Sequence, residues 1–460
     1  MQQALHLSKI ILTNDGNPIF NGGLLIEKGI IREVGKKEDF GDLTNRDFEI
    51  IDHGNSFICP GFINLHTHLL YSKVQIRNSS EGLFQWLAKL VDSVQDWSDN
   101  DYANSIRTGI STAIEAGTTF IVENTPSIMS ANEIAKSPLK AIIGLEIFGS
   151  DEEKSDEIFE AYLEQINKCH SQLDRESSLT TDIAQSLDSR WSLSSAKAGD
   201  GNDRTELTFS PHAAYDVSKP LWEKILEWSK QNNKPILTHL EESTAEKSWW
   251  QNKSGEAINF WKKINKLEPK LQYWKKYNSS IDFLNKNKLL SKNLIATHLS
   301  QANEEDLKTL KSSRVKLIHC PRSNYFLNSG TANLKLWDEL GLLWGIGTDS
   351  LASNDSLDLL EELRFTLNQQ QVIYNYKLSL KQAFEAITLS GGKILSRKIG
   401  CLKEGFEADF LIYNLNNKLE ATNLDPYNLI IFNLNNKKDL EEVWINGKKA
   451  WIREAILNRI

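Results

Sequence analysis

The middle of the chain alternates short, almost wholly apolar runs with longer stretches whose apolar residues recur at helical spacing. The apolar runs are FICPGFINLHTH, GTTFIVENT, AIIGLEIFG, ELTFSPHAA, KPILTHLEE, LIATHLS, VKLIHCPRS and LLWGIGTDS. Intervals such as Asp101–Ala116, Lys219–Asn232 and Glu304–Ser312 predict helices between them. Strands apolar on both faces and separated by helices predict parallel pairing with helical crossovers. Eight of them predict an α/β fold, a closed (β/α)8 TIM barrel. An open doubly wound sheet is the alternative, but no Gly-rich phosphate turn follows any of these strands.

The two ends have another rhythm. KIILTNDGNPIFNGGLLIEKGIIREVG is a series of short β-prone runs punctuated by Asp15-Gly16, Gly22-Gly23 and Lys28-Gly29, which predicts a meander. ADFLIYNL and LEEVWINGKKAW are strand-like too, the latter turning at Asn446-Gly447. The ends are expected to meet in a small composite β-domain, residues 1–58 and 396–460, around a barrel over 59–395.

Two stretches break the alternation. Residues 151–204 begin as a helix and become polar and Ser-rich, a composition that cannot bury a core and predicts a mobile surface insertion. Deleting roughly Leu173 to Gly201 should therefore leave folding and turnover largely intact; a circular dichroism spectrum of an unfolded chain would contradict this. Residues 243–291 carry Trp249, Trp250, Trp261 and Trp274 and predict helical padding that also borders the pocket.

Composition limits the partners. Hydrophobic content of 40% and charged content of 25% are ordinary for a globular protein. A net charge of −8 with both signs interspersed offers no footprint for nucleic acid or an anionic membrane. No apolar run approaches membrane-spanning length, and MQQALHLSKIILTNDG lacks the basic start and apolar core of a signal peptide. Cys59, Cys169, Cys320 and Cys401 are far apart, which predicts reduced thiols in a cytoplasmic setting. The expected partner is a small-molecule substrate, with a homo-oligomer left open.

Six of the nine histidines fall where the strands end: His66 and His68 on the first, then His212, His239, His298 and His319, with Asp349 ending the eighth. Barrel enzymes keep their active sites at those ends. His66 and His68, at i and i+2, share one face of an extended strand, a common start of a metal site. A lone His239 would more often be a satisfied core residue, but here carboxylates follow it that are costly to bury unpaired. Asp349 in GTDS has a rival reading as a helix cap.

PGFINLHTH, THLEES, ATHLS and GTDS, in this order, resemble the amidohydrolase superfamily. The likeness runs on through SPHAAYDVS, HCPRSNYFL, TDSLASNDSLDLLEELR and LSGGKILSRKIGCLKEGFEADFLIYN. It is strongest to the cytosine-deaminase-like and chlorohydrolase-like branch, which includes deaminases of S-adenosylhomocysteine, methylthioadenosine, aminofutalosine and guanine. The resemblance implies the barrel with its composite β-domain, and His66, His68, His239 and Asp349 as metal ligands. Dinuclear relatives usually add a carboxylated lysine from the fourth strand. ELTFSPHAA has none, so one divalent ion is expected, zinc before iron or manganese. An ion with an open position lowers the pKa of its water towards about 7. The family match makes Glu242 the proton shuttle, although Glu241 would share the face of His239 if the strand continued. Asp349 is expected to take the water proton while it ligates the ion, and His298 to hydrogen-bond the attacking hydroxide and stabilise the tetrahedral intermediate. His212, His319 and Arg322, with Arg77 and Trp86 from the first loop, are the candidates for substrate contact. The expected activity is deamination of an adenosine-like or related ring. Displacement of chloride or alkylamine, amide hydrolysis, and a non-catalytic metal-binding relative are the alternatives.

Overall fold

Five strands come from the first part of the chain: β1 (Ala4–Ile11), β2 (Ile19–Glu27), β3 (Ile30–Lys36), β4 (Glu49–Asp52) and β5 (Ser56–Pro60). The apolar runs form β6 (Phe62–Thr67), β7 (Thr118–Thr125), β8 (Lys140–Ile147), β9 (Thr205–Pro211), β10 (Ile236–Leu240), β11 (Leu294–His298), β12 (Lys316–His319) and β13 (Trp344–Ile346). Three more strands, β14 (Phe410–Asn414), β15 (Leu440–Ile445) and β16 (Lys448–Ile452), follow. The computed structural model describes residues 3–43, 48–76, 82–179, 204–253, 255–263, 274–416 and 425–453, without side chains for 170–179. The Ser-rich part of the first insertion and Arg77 lie outside them.

All eight middle strands pair in parallel, as β6-β7-β8-β9 and β10-β11-β12-β13. The two ladders do not run into each other. At one edge His239 N–H donates to His212 O at 2.9 Å, and at the other Asp349 N–H donates to His66 O at 2.9 Å. Every residue of β7, β8 and β10 is buried, which is why these runs are apolar throughout. The expected helices at Lys219–Asn232 and Glu304–Ser312 are present with those bounds, and the first starts two residues early, at Asp99–Glu115.

The remaining strands form one sheet in the order β16-β15-β14-β5-β1-β2-β3, with β4 beside β1, so segments from both ends of the sequence share it. FICPGFINLHTH is not one strand but two. Its first half, β5, pairs with β1 and β14, and the break falls at Gly61, where a Cβ would lie 2.3 Å from Thr119 Oγ1. Gly22-Gly23 is not a turn either. Both residues lie inside β2, where a Cβ on Gly23 would meet the Phe40 ring at 2.6 Å. The Lys28-Gly29 and Asn446-Gly447 pairs do turn the chain, each residue with positive φ. Lys140, fully buried at the start of β8, pairs with Asp409 and Glu407 beside β14 and ties the terminal sheet to the parallel strands.

Helices Thr244–Asn252, Glu256–Lys263 and Ser280–Lys286 make up the described part of the second insertion. Trp249, Trp250, Trp261 and Trp274 are all buried; Trp249 packs against Trp250, Trp261 and Trp274, and also against Tyr215 next to β9. Among the described residues no helix is long and apolar enough to cross a membrane, and all four cysteines are buried thiols.

Candidate active site

Parallel strands bring like ends together, so the residues that close the apolar runs meet at one edge. His66 in β6, His68 just after it, His239 in β10 and His298 at the end of β11 form one cluster. The His66 ring centre lies 4.9, 5.0 and 5.5 Å from those of His68, His239 and His298. His68 Nε2 and His239 Nε2 are 3.3 Å apart, and Asp349 Oδ1 lies 3.6 Å from His68 Nε2 and 3.9 Å from His66 Nε2.

The outer ring nitrogens are tied down. His239 Nδ1–H donates to His212 O and His298 Nδ1–H to Asn324 Oδ1, each at 2.8 Å, so both Nε2 atoms keep their lone pairs. His66 Nδ1 lies 2.8 Å from the Asn124 side-chain amide, which also meets the Ser210 hydroxyl. The amide N–H points at Nδ1 and the amide oxygen accepts from Ser210 Oγ at 3.0 Å; turning that amide over would make Nδ1 the donor and leave Nε2 free for a ligand. Burial, reinforced by the neighbouring imidazoles, holds His66 and His239 well below the ordinary histidine range, and burial lowers His298 against the opposing pull of Asp349. These rings are neutral at pH 7, as metal ligation requires.

The donor set fits a divalent cation. His66 Nε2 is buried and makes no hydrogen bond, an orphan that costs about 1–3 kcal/mol unless something binds it. Tetrahedral zinc with bonds of ~2.0–2.1 Å places its donors roughly 3.3–3.4 Å apart. The groups able to hold an ion among the described residues are His66-His239-His298, His66-His68-Asp349 and His68-Glu146-His239. They overlap in His66, His68 and His239. β9 ends in Ser210-Pro211, with His212 next, and brings no lysine to this edge.

Backbone strain concentrates here. Glu241, His298, Leu299 and Asp349 have φ of +49°, +79°, +53° and +62°, a region costly for residues with a Cβ. The first of these settles how the two glutamates part. The left-handed turn at Glu241 sends its carboxylate to Ser280 N–H at 2.8 Å, away from the cluster. Glu242 Oε1 instead lies 3.8 Å from His298 Nε2. Burial, with the negative charges of Asp349 and Glu246, pushes the Glu242 carboxyl well above its ordinary range and favours the protonated form; a bound cation acts the other way. Asp349 is no helix cap. Its Oδ2 accepts from Ser323 Oγ at 2.6 Å and its Oδ1 from Ser350 N–H at 2.8 Å, while Asp358 caps the next helix.

The other expected contacts are spread more widely. The His212 ring lies beside His239 at 4.8 Å with Nδ1 on Asp216, placing it at the rim. Trp86 is not on a loop but buried on the helix Leu83–Val94, with its indole N–H on Ala352 O, and ties that helix to the segment after Asp349. His319 is fully buried with its ring edge-on to Trp337, and burial pushes it down to about 3. Arg322 is not brought into the cluster. Its guanidinium pairs with Asp355, Glu361 and Glu362.

Sequence reasoning passed over Glu146, which ends β8 buried, 4.0 Å from His68 Nδ1, with Oε1 unpartnered. It also passed over Glu123, whose carboxylate accepts from Leu69 N–H and Thr67 Oγ1 and is pushed up to about 8 by burial. A charged residue inside an otherwise apolar strand was the available signal for both.

The protein resembles known deaminases over nearly its full length. It is 26% identical over 446 residues to 5-methylthioadenosine/S-adenosylhomocysteine deaminase of Pyrococcus furiosus, covering 95% of this chain and 93% of that one. An adenosine deaminase from Xanthomonas campestris, solved with bound zinc, shares the fold with a TM-score of 0.74 at 20% identity, over 99% of this chain and 96% of that one. Triazine hydrolase from Arthrobacter aurescens shares it equally, with a TM-score of 0.74 at 17% identity, over 98% and 94%. Residues 57–450, which hold all eight parallel strands and every member of the cluster, match the amidohydrolase family. The chain belongs to the amidohydrolase family.

Proposed function

We propose that the protein is a metal-dependent hydrolase that deaminates an amino-substituted heteroaromatic ring of adenosine-like type and releases ammonia. The observation that carries this reading is the buried Glu242 carboxyl, 3.8 Å from His298 Nε2 and beside three neutral imidazoles and Asp349. The deaminase names of relatives that align over nearly the whole chain support it. The edge-to-edge bonds between the two parallel sheets support a closed (β/α)8 barrel over 59–395, and the mixed terminal sheet supports a composite β-domain from 1–58 and 396–460.

His66, His68, His239 and Asp349 would hold one divalent ion, zinc before iron or manganese given three imidazoles and one carboxylate. When bound, such an ion activates water at neutral pH. Asp349, steadied by Ser323, accepts the proton that the water gives up. Glu242 donates its proton to a ring nitrogen of the substrate, which makes the amine-bearing carbon electrophilic. His298 has its Nδ1–H committed to Asn324, so its Nε2 accepts the remaining O–H of the attacking water and aims the oxygen. The amine takes up the proton held by Asp349 and departs as ammonia, and the remaining hydroxyl proton on the attacked carbon returns to Glu242, which leaves a ring carbonyl and resets the acid. His212 borders the substrate, with His319, Trp86 and Arg77 as further candidates for contact with it; Arg322, held by three carboxylates away from the cluster, is not one.

Displacement of chloride or alkylamine is the second reading. It uses the same water and the same Glu242 and differs in the leaving group, and triazine hydrolase has the same fold. Elemental analysis should find close to one divalent ion per chain. Two tightly bound ions, each lost on altering a different ligand set, would contradict a mononuclear site. Assays on adenosine, 5′-methylthioadenosine, guanine and a chlorinated triazine then separate the readings by whether ammonia or chloride is released.

A further inference from the structure

Glu242 follows a residue in the left-handed region, so its direction depends on whatever holds that turn. Three side chains do so, beside the Gln301 N–H that donates to Glu241 O at 3.0 Å, and they converge on the insertion after β10. Glu242 N–H donates to Glu246 Oε2 at 2.7 Å. Glu246 Oε1 accepts the Ser280 hydroxyl, and Ser280 Oγ in turn accepts from Trp250 Nε1–H at 2.7 Å. Ser280 N–H donates to Glu241 Oε1 at 2.8 Å. Ser280 therefore grips both sides of the turn, one through its amide and one through its hydroxyl, and all four side chains are buried.

We propose that Glu246, Ser280 and Trp250 are positioning residues for Glu242, and that the Trp-rich insertion serves the reaction by fixing the turn at Glu241. The chain runs Trp250 to Ser280 to Glu246 to the Glu242 amide, without touching the metal-ligand cluster. It rests on Glu242 as the proton donor. Glu246 and Ser280 are each doubly engaged, so loss of one hydroxyl frees the Glu246 carboxylate to rotate and leaves the strained turn without its brace. A misplaced catalytic group costs up to about 10²-fold in rate for a displacement of about 1 Å.

The test uses the zinc-loaded full-length protein and 5′-methylthioadenosine. Ser280→Ala and Trp250→Phe should lower kcat at least tenfold while KM and zinc content stay unchanged, and Ser280→Thr, which keeps a hydroxyl, should restore most of it. Trp249→Phe is the control, because the indole nitrogen of Trp249 is buried without a partner. Hydrogen exchange gives a readout independent of turnover: the peptide spanning residues 240–243 should exchange faster in Ser280→Ala and not in Trp249→Phe. If Ser280→Ala lowers the melting temperature but leaves kcat and that exchange unchanged, the three residues are only structural and the proposal is overturned. If Glu242→Gln itself keeps full turnover, the role of Glu242 falls; accelerated exchange at 240–243 would then still show the clamp on the turn.

Discussion

Glu242→Gln should hold its metal and bind substrate as the parent does, yet turn over at least ~10²–10⁴-fold more slowly, the usual contribution of a positioned acid–base group. Gln keeps the size of the side chain and can still meet His298, so what is lost is the transferable proton. The direction of the Glu242 shift matters here. Burial and two nearby carboxylates keep the acid protonated into a range where an exposed glutamate has lost its proton. Glu241→Gln should be much milder, because that carboxylate bonds Ser280 N–H and does not face the cluster. Metal content, substrate affinity and turnover measured together decide between them. A dead Glu241→Gln beside an active Glu242→Gln would move the shuttle one residue back.

His66→Ala and His239→Ala should each empty the metal site and abolish turnover. Each ring is neutral, buried and supplies an Nε2 whose opposite nitrogen is fixed, so an alanine leaves a gap that no neighbouring side chain fills. Stripping the parent with a chelator should give the same loss, reversed by zinc. It should also lower the melting temperature, because a ligand at 100-fold over its Kd stabilises by about 2.7 kcal/mol. Asp349→Asn should weaken both metal content and turnover, since ligand and proton acceptor are one group. Unchanged metal content in His66→Ala, by elemental analysis, would remove that residue from the ligand set.

The strands and the cluster were legible because burial on both faces forces a continuous apolar run, and a parallel sheet forces the ends of such runs together. His66, His239, His298 and Asp349 stood out as polar residues closing those runs. What happens past a strand end was not legible. His319 closes β12 and Arg322 follows it, yet Arg322 turns outward to three carboxylates and His319 inward against Trp337. Glu241 and Glu242 are separated only by a left-handed φ that no side chain advertises. Asn124, Ser323 and Asn324 fix ring orientations and a carboxylate, but as residue types they look like ordinary strand and helix polars. The glycines at 22 and 23 look like a turn because the Phe40 ring that requires one of them is distant in sequence.

Ammonia formed from 5′-methylthioadenosine or adenosine by protein carrying one zinc per chain, with Glu242→Gln assayed beside it at equal zinc content, tests the deaminase reading most directly. Sustained ammonia release by the parent and its near-complete loss in the variant is the expected result. A folded parent that holds its zinc but frees no ammonia from any adenosine-type nucleoside would contradict it.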